Sequence, residues 1–137
     1  MKVKLKGDRN MEYKDIEIEL VHDTEIMQEH LEQDFKVLME VGIDNLIKEK
    51  LIPWITATDF EDKNHDKIFE GLKIYEIDYN YLKIVAQYSP TGEENYFGQF
   101  DFCFESNSEY TDDILEAVGM TVYVLDGKVV GVEEYDI

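Results

Sequence analysis

Hydrophobic and polar residues alternate in short runs at both ends of the chain and repeat with a helical period between them. Residues 2–6 read Lys-Val-Lys-Leu-Lys, with Val3 and Leu5 on one face. Residues 7–10 are turn-rich. From Tyr13 to Leu20 the pattern places Ile16, Ile18 and Leu20 on one side and Asp15, Glu17 and Glu19 on the other. A period of two interrupted by turn residues predicts a β-hairpin.

The period then lengthens. Met27, Leu31, Phe35, Leu38 and Val41 recur at three- and four-residue steps, the stripe of an amphipathic helix. Asp23 or Thr24 can cap its start and Gly42 can end it. Glu25 and Glu29 repel one another along this helix while Glu32 and Lys36 attract, each by a few tenths of a kcal/mol, so packing of the apolar stripe has to decide that it forms. Asp44 can cap a second short helix through Leu46, Ile47 and Leu51, stopped at Pro53. Trp54, Ile55, Phe60, Ile68 and Phe69 are expected core anchors, and the polar stretch Glu61–Lys67 is a loop or the first turn of a third helix ending at Gly71.

From Leu72 onward Tyr, Ile, Val and Phe dominate, the composition of strands. Leu72 to Tyr79 and Tyr81 to Tyr88 read as two strands with a turn at Asn80, followed by a loop at 89–95. Residues 96–105 alternate most cleanly. Tyr96, Phe100, Phe102 and Phe104 take one face, with Gly98 between them, and Phe97, Gln99, Asp101, Cys103 and Glu105 the other. A short helix capped by Thr111 is expected to end at Gly119, with Asp112 and Asp113 favourably placed against its dipole. Met120–Leu125, Asp126-Gly127 and Lys128–Val132 read as strand, type I′ turn and strand. Runs of strands and runs of helices argue an α+β fold in one domain over residues 1–137, an antiparallel sheet with an N-terminal hairpin and helices packed on one face.

Charge changes the picture from fold to function. The 137 residues carry 13 Lys and Arg against 32 Asp and Glu, a formal net charge of −19. Residues 1–10 are basic, at +3. The remaining 127 hold nine bases against 31 acids, and from residue 84 to the end Lys128 is the only base against twelve acids, a net of −11. Surfaces for nucleic acid or anionic membrane need clustered cations, so neither partner is expected. No run approaches the ~18 apolar residues of a membrane span, and no apolar segment follows the basic start as in a signal peptide. The expected location is the cytoplasm. Acidic disordered tails lack aromatics and β-branched residues, whereas here they accompany the acids throughout.

Candidate chemistry is sparse. Asp62-Lys63-Asn64-His65-Asp66 opens like a calcium loop, but Lys67 stands where the loop needs Gly and Lys73 where it needs a bidentate Glu. Glu17-Ile18-Glu19 has Val21 where the triphosphate-tunnel signature requires Lys, and the chain holds one Arg. His22, His30 and His65 have no metal-ligand spacing. His30 and Asp34 are neighbours one helical turn apart, without a nucleophile to serve. Cys103 is flanked by carboxylates that raise a thiol's pKa and is expected to be inert. No catalytic residue, metal or cofactor is expected.

The acids accompany Tyr75, Tyr79, Tyr81, Tyr88, Tyr96, Tyr110, Tyr123 and Tyr135, a residue that brings large contact area at low entropic cost. A compact acidic domain with tyrosines on strands complements a basic protein. The stretches FGQFDFCFES and DDILEAVGMTVYVLDGKVVG resemble, over about residues 72–137, acidic immunity-type proteins of bacterial polymorphic toxin systems. That resemblance implies an inhibitor of a basic protein toxin, such as a nuclease, and no enzymatic activity. The expected contact residues are Gln99, Asp101 and Glu105 on the best strand, Asp112 and Asp113 at the helix start, and Glu133 and Glu134 near the end. The alternatives are a small bacterial enzyme using carboxylates in a sheet groove and a scaffold subunit, with acidity serving solubility alone as the blandest account.

Overall fold

The computed structural model describes residues 2–5, 14–21, 25–57, 72–84, 94–106 and 118–136. Its strands are β1 (Lys2–Leu5), β2 (Lys14–Leu20), β3 (Leu72–Ile84), β4 (Asn95–Ser106), β5 (Val118–Leu125) and β6 (Lys128–Asp136), side by side in chain order. The helical segments α1 (Glu25–Val41), α2 (Ile43–Leu46) and α3 (Ile52–Thr56) lie between β2 and β3. The fold is α+β and the sheet is mostly antiparallel. One pair departs from the expected arrangement: β2 and β3 run parallel, in the register Ile18↔Ile77, Glu19↔Asp78 and Leu20↔Tyr79. A parallel neighbour requires a crossover of a dozen residues or more, and the helices supply it.

The helices cover one face of the sheet. Leu31 and Leu38 of α1, Ile43, Leu46, Ile47, Leu51, Ile52 and Ile55 share a core with Ile77, Tyr79, Phe100, Phe102, Phe104, Met120, Val122 and Val124. Phe100, Phe102 and Phe104 of β4 are fully buried on this side, as their alternation predicts. Burying a side chain of that size is worth roughly 1.5–3 kcal/mol, which outweighs the repulsions of a few tenths of a kcal/mol along α1. Val41, assigned above to the apolar stripe, is exposed. No described helix is long and apolar enough to cross a membrane.

Three expected turns or stops are not where the pattern put them. Asn80 is not a turn: β3 runs unbroken and pairs with β4 from Leu72↔Ser106 to Ile84↔Asn95. Two Asn-flanking tyrosine runs read as a hairpin because a turn residue between strands is the usual meaning of Asn, but here Asn80 pairs across to Gln99. Gly119 does not end a helix. It lies within β5, between Cys103 and Tyr135; the expected helix from Thr111, with Asp112 and Asp113, lies outside the described residues. Pro53 does not stop the second helix. A π-helical turn at Ile47–Leu51 joins α2 to α3, and Pro53 sits in the first turn of α3, where its missing N–H and fixed φ are tolerated.

Helix α1 ends as expected at Gly42, whose φ of 92° favours a residue without Cβ. Its N–H donates to the Leu38 carbonyl at 2.9 Å. The start of α2 differs: Gly42 is also its N-cap, and Asp44 lies inside the first turn instead of capping it. The Asp126-Gly127 turn has positive φ at both residues, 50° and 77°, as a type I′ hairpin needs. The expected caps Asp23 and Thr24, the anchors Phe60, Ile68 and Phe69, and the polar stretch containing the calcium-like motif lie outside the described residues.

Two irregularities in the sheet decide where the acids go. In β3 the register shifts between Ile74 and Glu76. Ile74, Glu76 and Asp78 have the same parity, so an unbroken alternation that buried Ile74 would bury both acids. The bulge instead turns Ile77 and Tyr79 inward, both fully buried, and puts Glu76 and Asp78 on the side away from the helices. A second shift, between Tyr123 and Val124 in the pairing with β6, lets Val129 and Val132 both pack on the core and leaves Glu133 and Tyr135 on the open side.

Candidate functional site: the open face of the sheet

The face turned away from the helices is built from the alternate residues of five strands. One row runs across them: Glu19 pairs with Asp78, Asp78 with Asp101, Asp101 with Thr121, and Thr121 with Glu133. Adjacent strands are ~4.8 Å apart, so the row spans roughly 19 Å with four carboxylates and no base. A neighbouring row holds Glu76, Cys103, Gly119 and Tyr135. On the other side lie Asn80, Gln99 and Tyr123.

Several of these groups are fixed. The Thr121 hydroxyl, on a buried residue, donates to Asp101 Oδ1. The Tyr123 hydroxyl donates to Glu133 Oε2 at 3.0 Å. Tyr135 lies across Gly119, so closely that a Cβ there would be 2.3 Å from its ring; glycine at this point admits the ring onto the sheet surface. Burial, followed by nearby Asp101, pushes the Tyr135 phenol up. Phe97, Tyr123 and Leu125 form a small buried apolar cluster with Val130 at one end of this face.

The electrostatics are those of like charges held together. Burial pushes the Asp78 carboxyl above the usual carboxylate range, and Glu76, Glu19 and Asp101 push it further. Carboxylate oxygens of Glu19, Glu76 and Asp78 lie within 4.8 Å of one another. Three oxygen donors at that spacing could approach a divalent cation, but exposed acids assemble in this way without one. The Cys103 thiol is raised, first by burial and then by Glu76. The direction agrees with an unreactive thiol, but the leading cause is burial and the leading carboxylate is across the strand pair, not the flanking acids of its own strand.

Of the residues expected to make contact, Gln99, Asp101 and Glu133 stand together on this face. Glu134 does not join them: it pairs with buried Met120 and so alternates to the helix side of β6. Glu105 continues β4 opposite Lys73, but its side chain, like Asp112 and Asp113, lies outside what is described. Glu19, Glu76, Asp78, Thr121, Tyr123 and Tyr135 belong to the face and were not nominated. The parity break at Ile74/Glu76 was the available signal for Glu76 and Asp78; nothing in the local pattern around Glu19 announces that β2 lies beside β3.

A scan against protein-family models, a search of curated proteins and a search of solved structures each find no match to this chain.

Proposed function

We propose that this protein is a non-enzymatic binding protein of the cytoplasm that captures a basic protein on the open face of its sheet, as an immunity-type inhibitor captures a cationic toxin. One observation carries the reading: carboxylates of four strands, Glu19, Asp78, Asp101 and Glu133, stand in a single row without a base among them. Concentrating like charge on one face destabilises the compact state. Solubility alone needs net charge spread over the surface, not acids aligned in register. Charge complementarity raises association rate and selects among partners, and half-buried Tyr135 beside the row offers contact area of the kind that dominates interfaces.

The test is capture at low salt from lysate of the source cell, with the wild type and the triple variant Asp78→Asn/Asp101→Asn/Glu133→Gln as parallel baits. The expected result is one cationic protein released from the wild type by a salt step and at least tenfold depleted on the variant. Equal capture by both baits would refute the assignment to this face.

A further inference from the structure

On the opposite side of the sheet, α1 carries an acid where its pattern turns inward. Asp34 stands between Leu31 and Leu38, both buried in the core. Burying a carboxylate is costly unless it is hydrogen-bonded, and the sheet supplies a fitted seat. The hydroxyl of fully buried Tyr79 donates to Asp34 Oδ2 at 2.5 Å. Gly98 of β4 opens the space: a Cβ there would lie 1.9 Å from the same oxygen. One turn earlier on α1, His30 stacks on Tyr81, with ring centroids 3.9 Å apart, and Tyr81 stacks on Tyr96 at 5.2 Å. Lys83 lies 5.7 Å above the Tyr96 ring.

We propose that the Asp34 carboxyl in the Tyr79–Gly98 seat is a proton-sensitive latch, which holds α1 on the sheet more firmly as the pH falls. Among the described residues, the titratable and charged groups that act on Asp34 are His30 on α1 and Tyr79 and Tyr81 on β3, and those beside the stacked Tyr81 are Tyr96 on β4, Lys83 on β3 and Asp126 at the β5–β6 turn. Burial raises the Asp34 carboxyl; the Tyr79 hydrogen bond and the neighbouring His30 act the other way and do not offset it. Lys83 pairs at 3.8 Å with exposed Glu94, and Asp126 acts on Tyr81. For a group raised on folding, the stabilisation is complete below the unfolded-state value and is lost as pH climbs through the folded-state one. Protonated Asp34 therefore docks at no charge-burial cost, and ionised Asp34 loosens the helix.

Amide hydrogen exchange on the full chain tests this, corrected for intrinsic rates, between pH 4.5 and 8. Local opening of α1 is read from Leu31 and Leu38 relative to Phe100 and Phe102 of β4. Each unit of pKa difference is a tenfold factor in protection, and the wild type is expected to lose on the order of threefold or more as the pH rises. Asp34→Asn, which keeps a hydrogen-bond acceptor, should flatten the profile, and Glu29→Gln, on the exposed side of α1, should follow the wild type. A wild-type slope in Asp34→Asn overturns the latch. Titration of the Asp34 carboxyl carbon in the wild type reads the same claim without a variant, and a midpoint at the ordinary carboxylate value overturns it as well.

Discussion

Replacing Asp78 by Asn should stabilise the protein. Asp78 is flanked in register by Glu19 and Asp101 and has Glu76 beside it on the same strand. Two unit charges 4.8 Å apart repel by about 0.9 kcal/mol in a water-like dielectric. Physiological salt, with a Debye length of about 8 Å, cuts that by roughly half. Glu19 and Glu76 together therefore cost about 1 kcal/mol, and Asp101 adds a smaller amount. Asn keeps the shape and removes the charge, so the expected gain is about 1 kcal/mol at pH 7, or about 3–4 °C in Tm for a chain of this length. The sign with pH follows from the raised carboxyl. Wild-type stability is complete below the ordinary carboxylate range and is lost as pH rises through the folded-state value, so the advantage of the variant should be full at pH 7 and absent near pH 3. Urea unfolding at pH 3, 5 and 7, repeated in 1 M NaCl at pH 7, measures all of this. A variant less stable than wild type at pH 7, or a gain that salt leaves unchanged, would refute the account of the acidic row as unfavourably held charge.

Two further predictions concern the glycines that admit side chains onto the sheet. Gly98→Ala should cost about 1–3 kcal/mol as an overpacked site, and most of that cost should vanish in the Asp34→Ala background, because the Asp34 carboxylate is the atom group in the way; a double-mutant cycle by denaturant unfolding reads the coupling, and additive effects would contradict the seat. Gly119→Ala should lift Tyr135 from the open face at a comparable cost, visible as increased accessibility of Tyr135 to nitration; an unchanged nitration rate would contradict the ring's placement.

Local periodicity carried much of the fold. The hairpin of β5 and β6, the alternation of β4 and the extent of α1 follow from near-neighbour pattern and turn chemistry, which act within a few residues. What was not legible depends on pairing between distant segments. That β2 lies parallel to β3 is settled by where the helical crossover returns the chain, and no residue of β2 encodes it alone. Asn80 was misread because a turn-former inside a strand is tolerated when its partner, Gln99, continues the ladder. Pro53 was misread because a π turn in front of it was not anticipated.

The same division holds for the site. Gln99 and Asp101 were readable from the parity of β4. Glu133 and Glu134 are adjacent on β6 and so take opposite sides of the sheet, and Glu76 and Asp78 reach the open side only through the bulge in β3. Glu19 needed the parallel register. The open face was thus legible strand by strand, but the row of acids across strands was not, since it exists only once the register is set.

The claim at the centre of this account is that the open face is the contact surface. Backbone amide shifts of the protein, mapped on adding the cationic protein proposed as its partner, test that most directly. The account predicts that the largest changes fall on Asp78, Gln99, Asp101, Thr121 and Glu133, with α1 little affected. Changes confined to α1 and α3, with those five residues silent, would contradict it.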